Sequence, residues 1–282
     1  MKIIECPRDA MQGITKFIPT DLKAKYINQL LQVGFDTIDF GSFVSPKAIP
    51  QMRDTAMVYD KLELGNTRTK LLAIVANTRG AMEAVRFEGI HYLGFPFSIS
   101  ETFQQRNTNK SIVEALNTVE EVQDLCKKHG KVLVTYMSMG FGNPYNDPYD
   151  VDIVARFADI LVTLGIEIIS LADTIGVSQP AQITYLFSHL KKQFPQVEFG
   201  AHLHSNPATA VEKIEAAYKV GCNRFDGALK GWGGCPMAKD ELVGNLATET
   251  ILDYLVSQRA QPDIDNGAFA KALEMAGSVF SG

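Results

Sequence analysis

Eight times along the chain a short apolar run is followed by a segment with helical periodicity, and this alternation constrains the fold more than any other feature. The strand-like runs are Ile3–Cys6, Thr37–Phe40, Leu71–Val75, Tyr92–Pro96, Val132–Tyr136, Ile166–Leu171, a run ending at His202 and His204, and Arg224–Ala228. Between them lie helical patterns: one opening at Thr20-Asp21 with Leu22, Tyr26, Ile27, Leu30 and Leu31 on one face, then Thr55 to Leu62, Arg79 to Phe87, Ser111 to His129, Asp150 to Leu164, Pro180 to Phe194, Pro207 to Val220, and Asn245 to Ser257. A long polar loop is expected between the fourth strand and the helix at Ser111. Eight strand–helix units predict an α/β fold, a (β/α)8 TIM barrel, as a single catalytic domain over residues 1–282. The tail from Pro262 to Gly282 reads as a short C-terminal helical extension packed on the barrel. A doubly wound sheet is the alternative, but no Gly-x-Gly-x-x-Gly follows the first strand.

A composition of 46% hydrophobic and 21% charged residues is that of an ordinary globular domain. The net charge of −5 and the lack of a basic run give no surface for nucleic acid. Apolar stretches such as 160–166 are too short to span a bilayer, so no membrane partner is expected. The strand pattern beginning at the first residues is not that of a signal or transit peptide. Cys6, Cys126, Cys222 and Cys235 form no C-x-x-C pair, which suits a reducing, cytoplasmic setting.

In such a barrel the chemistry sits at the C-terminal ends of the strands. Arg8 and Asp9 fall there after strand one, Asp39 and Ser42 at strand two, Ser170, Asp173 and Thr174 at strand six, His202 and His204 at strand seven, and the Cys235 loop after strand eight. Histidines at i and i+2 of a strand point to the same face and supply half of a divalent-metal site. By itself such a pair is more often hydrogen-bonded at a strand end; the convergence of the other polar residues on the same rim favours the metal. Asp9 and Asn245 are the candidates for the other half. Their structural alternatives are a helix cap or rim ion pair for Asp9 and a helix N-cap for Asn245. Two imidazoles, a carboxylate and an amide suit an octahedral Mg²⁺, Mn²⁺ or another first-row ion. Arg8 can neutralise an oxyanion or enolate, or serve as a structural salt bridge. Cys235, in the glycine-rich Gly231-Trp232-Gly233-Gly234-Cys235-Pro236, can hold a proton for a carbanion, or be an inert turn residue.

These residues resemble those of the 3-hydroxy-3-methylglutaryl-CoA lyase family. The shared segments are Pro7-Arg8-Asp9-x-x-Gln12, Ser42-Phe43-Val44-Ser45-Pro46-Lys47, Pro50-Gln51-Met52, Asp173-Thr174-Ile175-Gly176-Val177, His202-x-His204, Gly233-Gly234-Cys235-Pro236 and Gly244-Asn245-Leu246-Ala247-Thr248-Glu249. The resemblance implies that Asp9, His202, His204 and Asn245 bind the cation, that Arg8 stabilises the enolate, that Cys235 is the catalytic thiol, and that Asp39 and Glu249 support the site. It implies retro-Claisen cleavage of a 3-hydroxyacyl-CoA to acetyl-CoA and acetoacetate. Arg8, Ser42, Ser170 and Thr174 are expected toward the substrate, Lys47 is a candidate phosphate contact or simply a solvated lysine, and a homodimer is left open. This chain departs from the family pattern at Asp39, where a glutamate is usual, at Ala10-Met11, Ser205 and Trp232, and in the more charged segment 237–243. A Claisen-type condensing enzyme or pyruvate aldolase shares Arg8-Asp9 and the His pair. The condensing enzymes usually carry further C-terminal domains and lack the cysteine loop. A barrel that has lost catalysis is the third reading, and the retained metal set argues against it.

Overall fold

The protein is described here from a computed structural model, over residues 1–234 and 243–280. Eight parallel strands form a closed ring: β1 (Lys2–Glu5), β2 (Thr37–Ser42), β3 (Lys70–Ile74), β4 (Ile90–Ser98), β5 (Val132–Ser138), β6 (Ile168–Asp173), β7 (Glu198–Ser205) and β8 (Arg224–Gly227). Each strand pairs with the next, and β1 with β8, where Ile4 faces Asp226, closes the barrel. The helices, in chain order, are α1 (Pro7–Gln12), α2 (Thr20–Val33), α3 (Thr55–Tyr59), α4 (Thr78–Ala84), α5 (Glu101–Thr108), α6 (Ile112–Lys128), α7 (Val151–Thr163), α8 (Pro180–Gln193), α9 (Ala210–Lys219), α10 (Thr248–Ser257) and α11 (Asn266–Phe280).

Strand alternation builds two cores. Leu72, Ile74, Tyr92, Val134, Tyr136 and Ile168 fill part of the barrel interior, while a larger layer including Leu71, Leu93, Leu133 and Ile169 packs against the helices. The (β/α)8 barrel and the C-terminal helix expected from the sequence are both present. α11 lies on α2, with Tyr26 and Phe280 edge to face at 5.5 Å and Phe35 and Phe269 at 6.4 Å.

Two local expectations differ from the structure, and one helix has no counterpart in the sequence reading. The polar loop after β4 contains α5. Its sequence has almost no apolar periodicity; the helix is held by the Ser100 N-cap, whose Oγ accepts from the Phe103 N–H at 3.2 Å, and by burial of Phe103. Directly after β1 comes the helix α1, too short for a periodic signal but with proline at its first position and Arg8 bonded to Gln12 across one turn. Asn245 does not open the closing helix: with Gly244 it forms a short strand, β9, antiparallel to β7, in register with His204, and α10 begins three residues later. That pairing is a tertiary contact, so local sequence gives no sign of it.

Phe280 joins α11 to Tyr26 and, at 5.9 Å, to Trp232 at the start of the Cys235 loop. Phe280→Ala should lower unfolding free energy by about 3–5 kcal/mol, measured by urea titration; a loss below about 1 kcal/mol would show that α11 does not brace the barrel.

Candidate active site

The C-terminal ends of β1, β2, β7 and β8 bring Arg8, Asp9, Asp39, His202, His204 and Asp226 together, all nearly inaccessible to water. Arg8 reaches from α1 to Asp39 on β2, with Nε at 3.2 and 3.0 Å from its two carboxylate oxygens and Nη2 at 2.5 Å. Its Nη1 donates to Asp9 at 2.9 Å and to Gln12 at 2.9 Å. Gln12 also donates to Asp9, at 2.8 Å. Asn245 Nδ2 donates to the other oxygen of Asp9, at 2.7 Å, and to the Trp232 carbonyl at 2.9 Å. The Asp9 carboxylate is thus oriented from three sides.

His202 and His204, two apart on β7, sit beside it, their rings 5.4 Å apart. One ligand-capable atom from each of Asp9, His202 and His204 lies within 4.8 Å of the other two. Burial opposes protonation of His202, but its hydrogen bond with Asp226 (Nδ1 to Oδ2, 3.1 Å) and the charges of Asp226 and Asp9 raise its pKa overall. With Nδ1 turned to Asp226, Nε2 is the nitrogen left for a ligand. Burial, with the neighbouring His202, pushes His204 down to about 4, so its imidazole is neutral at neutral pH and one ring nitrogen keeps a free lone pair. Both ring nitrogens are buried and neither bonds a side chain; the backbone of Thr174 lies beside the ring. Burial works against ionisation of Asp9, yet Arg8 and the two histidines hold its carboxyl below the usual range. An anionic carboxylate, a neutral buried imidazole with a free lone pair and a second imidazole fixed by a carboxylate fit a divalent cation.

The cluster opens into a cavity of about 460 Å³. Arg8, Asp9, His202 and His204 form its buried end, with Tyr136 and Ala172 beside them.

The HMGL-like family profile matches residues 2–276. The chain is 36% identical over 252 residues to the hydroxymethylglutaryl-CoA lyase of Bacillus subtilis, covering 89% of this chain and 83% of that protein. It is 32% identical to the 3-hydroxy-3-isohexenylglutaryl-CoA/hydroxymethylglutaryl-CoA lyase of Pseudomonas aeruginosa, covering 94% of this chain and 88% of that one. The chain belongs to the hydroxymethylglutaryl-CoA lyase family. A solved structure of an HMG-CoA lyase from Acinetobacter baumannii, in complex with coenzyme A and 3-methylmalate, superposes with a TM-score of 0.91 over 100% of this chain and 91% of that one, at 29% identity.

Other residues that the sequence brought forward take different places. Ser42 and Thr174 line the cavity; the Thr174 hydroxyl also accepts from the Met139 N–H at 2.9 Å. Asp39 is buried behind Arg8 and outside the cavity lining; burial pushes its carboxyl up to about 6 against the pull of Arg8. Ser170 is buried inside the barrel, one strand across from Gly200, and does not line the cavity. Lys47 is exposed and off the cavity wall. Glu249 accepts the Lys230 N–H at 3.0 and 3.1 Å, fixing the left-handed turn at Lys230. Asp173 pairs with Lys213 at 2.9 Å, and Lys213 also donates to the His204 carbonyl at 2.9 Å, tying the end of β6 to β7. Cys235 lies outside the described residues.

Sequence reasoning missed Asp226 and Glu5. Asp226 was signalled by the period of two, since Arg224 and Asp226 face inward on β8 as the histidines do on β7. Glu5 is fully buried at the end of β1. Its two oxygens accept from the Leu229 N–H at 2.9 Å and the Thr248 hydroxyl at 2.5 Å, joining the two stems of the segment that carries Cys235. A close approach of Gly231 and Gly244 tightens the same neck: a Cβ on Gly244 would stand 2.3 Å from the Gly231 carbonyl oxygen.

Burial raises the Glu5 carboxyl from 4.5 to about 8, outweighing the Thr248 and Leu229 hydrogen bonds. The folded chain therefore retains a proton that the unfolded chain has lost, and stability contributed by the neutral acid is present below pH 4.5 and lost as pH rises to 8. Glu5→Gln reproduces the neutral acid, accepting from Leu229 and donating to the Thr248 oxygen. Its stability relative to the original chain should increase between pH 5 and pH 8 in chemical denaturation; a constant difference would show that Glu5 does not titrate there.

Proposed function

We propose that this chain cleaves 3-hydroxy-3-methylglutaryl-CoA, or a closely related 3-hydroxyacyl-CoA, between C2 and C3 to release acetyl-CoA and, from the methylglutaryl substrate, acetoacetate. The observation that carries this reading is the Asp9–His202–His204 cluster, with Arg8 beside it, at the buried end of a cavity in a chain of this lyase family. A C–C lyase of this kind must hold a hydroxyacid end, release a proton from its hydroxyl and stabilise a thioester enolate. Arg8, Asp9, His202 and His204 at this end of the cavity support that reading.

Asp9, His202, His204 and Asn245 would hold a divalent ion, Mg²⁺ or Mn²⁺, which when bound supplies Lewis-acid polarisation of the substrate's oxygens. Asn245 serves that arrangement in the form seen here by orienting Asp9 through its nitrogen; as a ligand it would use its amide oxygen. Arg8 is immobilised by Asp39, Asp9 and Gln12, with an Nη2 proton left to aim at the developing enolate. A carboxylate or histidine at this end takes the C3 hydroxyl proton, the C2–C3 electron pair moves onto the thioester, and the Cys235 thiol delivers a proton to C2. Ser42 and Thr174 offer hydroxyls to the acyl group from the cavity wall. The buried thiols Cys6, Cys126 and Cys222 agree with a cytoplasmic setting, and no helix among the described residues is long and apolar enough to cross a membrane.

Incubation with Mg²⁺ or Mn²⁺, a reductant and 3-hydroxy-3-methylglutaryl-CoA should yield acetyl-CoA and acetoacetate in equal amounts, and EDTA should stop the reaction. No cleavage by folded, metal-loaded protein would reject this substrate. The relative from Pseudomonas aeruginosa makes the isohexenyl analogue the next to assay. His204→Ala should lower bound metal in equilibrium dialysis, whereas Cys235→Ser should collapse turnover with metal content unchanged; Cys235→Ser turning over at the normal rate would remove the thiol from the mechanism.

A further inference from the structure

The wall of the cavity away from the histidines is built by the end of α5 and the residues after it. Arg106, Asn107, Thr108, Asn109 and Lys110 all line it. Arg106, Asn107 and Asn109 are exposed while Asp9, His202 and His204 are buried, so the cavity runs from an enclosed end at the cluster to a solvent-facing end at this segment. The segment is held in place. Asn109 ends α5 in a left-handed conformation, its N–H bonded to the Gln105 carbonyl at 2.9 Å. The Arg106 guanidinium stacks over Tyr145 at 4.7 Å, and Lys110 Nζ donates to the Thr118 hydroxyl at 2.6 Å.

Charge separates the two ends. Among the described residues that line the cavity, Asp9 is the one carboxylate, and Arg8 and the histidines surround it. Arg106 and Lys110 form no ion pair of contact distance among the described residues: Arg106 lies over a ring, and Lys110 bonds a hydroxyl, with the exposed Glu114 of α6 within reach of its charge. Two cations without a bonded acid, fixed at the mouth of a cavity in a chain of net charge −5, are placed for an anion. An Arg stacked on an aromatic ring keeps its fork of N–H groups available for phosphate oxygens. Across the mouth, Val44, Ala48 and Ile49 give the apolar wall that an alkyl amide chain needs.

We infer that Arg106 and Lys110 form an anion site for the phosphate-bearing part of the thioester substrate, so that the acyl group enters toward the histidines and the tail leaves past the end of α5. This rests on the lyase reading for the direction of the substrate, but the anion site itself can be tested separately. Lys47, proposed from sequence as the phosphate contact, is not on this wall.

The test is the double variant Arg106→Ala/Lys110→Ala with two substrates: 3-hydroxy-3-methylglutaryl-CoA and the phosphate-free N-acetylcysteamine thioester of the same acid. KM for the CoA thioester should rise about tenfold or more, with kcat little changed, because two charge-assisted contacts to the substrate's phosphates are lost. Affinity of the original chain should fall at higher salt, and in the double variant that dependence should flatten. Kinetics with the phosphate-free thioester should be unchanged. An equal rise for both thioesters, or none for either, overturns the inference. Calorimetric titration with coenzyme A and with pantetheine, on metal-loaded protein, separates the two readings. Weaker binding of coenzyme A alone in the double variant sustains the anion site even if the chain cleaves neither thioester. Undiminished binding of coenzyme A removes it even if the lyase reaction is confirmed.

Discussion

The polar end of this barrel depends on one guanidinium. Asp9, Asp39 and Asp226 lie close together with almost no exposure to water, an arrangement that would protonate or distort if left uncompensated. Arg8 bonds two of these carboxylates directly and is held by both. With Arg8 in place, Asp9 stays ionised next to the histidines, Asp39 serves as an anchor rather than a solvent-facing acid, and β1 is joined to β2 at the buried end of the cavity. Removing the guanidinium would leave buried carboxylates facing one another across the barrel.

A second layer of constraint lies beneath the cluster. Asp226 fixes the ring of His202, and Lys213 holds both Asp173 and the His204 carbonyl. Glu5 and Glu249 secure the two stems of the segment after β8. None of these residues lines the cavity, yet they set where its reactive groups stand. The charge pattern agrees with this division: acids are paired inside the barrel, while the cavity presents cations toward solvent at the end of α5.

The alternation of apolar runs and helical periodicity was enough to expect the barrel, since eight parallel strands each followed by a helix have few other ways to bury both faces. The residues at the strand ends could then be grouped on one rim before any coordinates. Asp9, Arg8, His202 and His204 do meet there. Ser170 was also placed on that rim, but in the structure it lies deeper, because its strand position puts it below the cavity floor. The helix α5 was hidden because a Ser N-cap and one buried phenylalanine stabilise it, and neither leaves a period in the sequence.

What the sequence by itself determined is the class of fold, the family and the grouping of Arg8, Asp9, His202 and His204 on one rim, because periodicity and strand position follow from local residue order. What only the tertiary structure decided is how those residues are connected. The hydrogen bond from Asn245 to Asp9 spans 236 positions, and that from Thr248 to Glu5 spans 243. The pairing of His202 with Asp226, and the joining of an exposed cationic mouth to a buried histidine end, likewise arise only when the barrel closes. Contacts between residues so far apart are selected by three-dimensional packing and by the cost of leaving a buried polar group unpaired, and no short stretch of sequence carries that information.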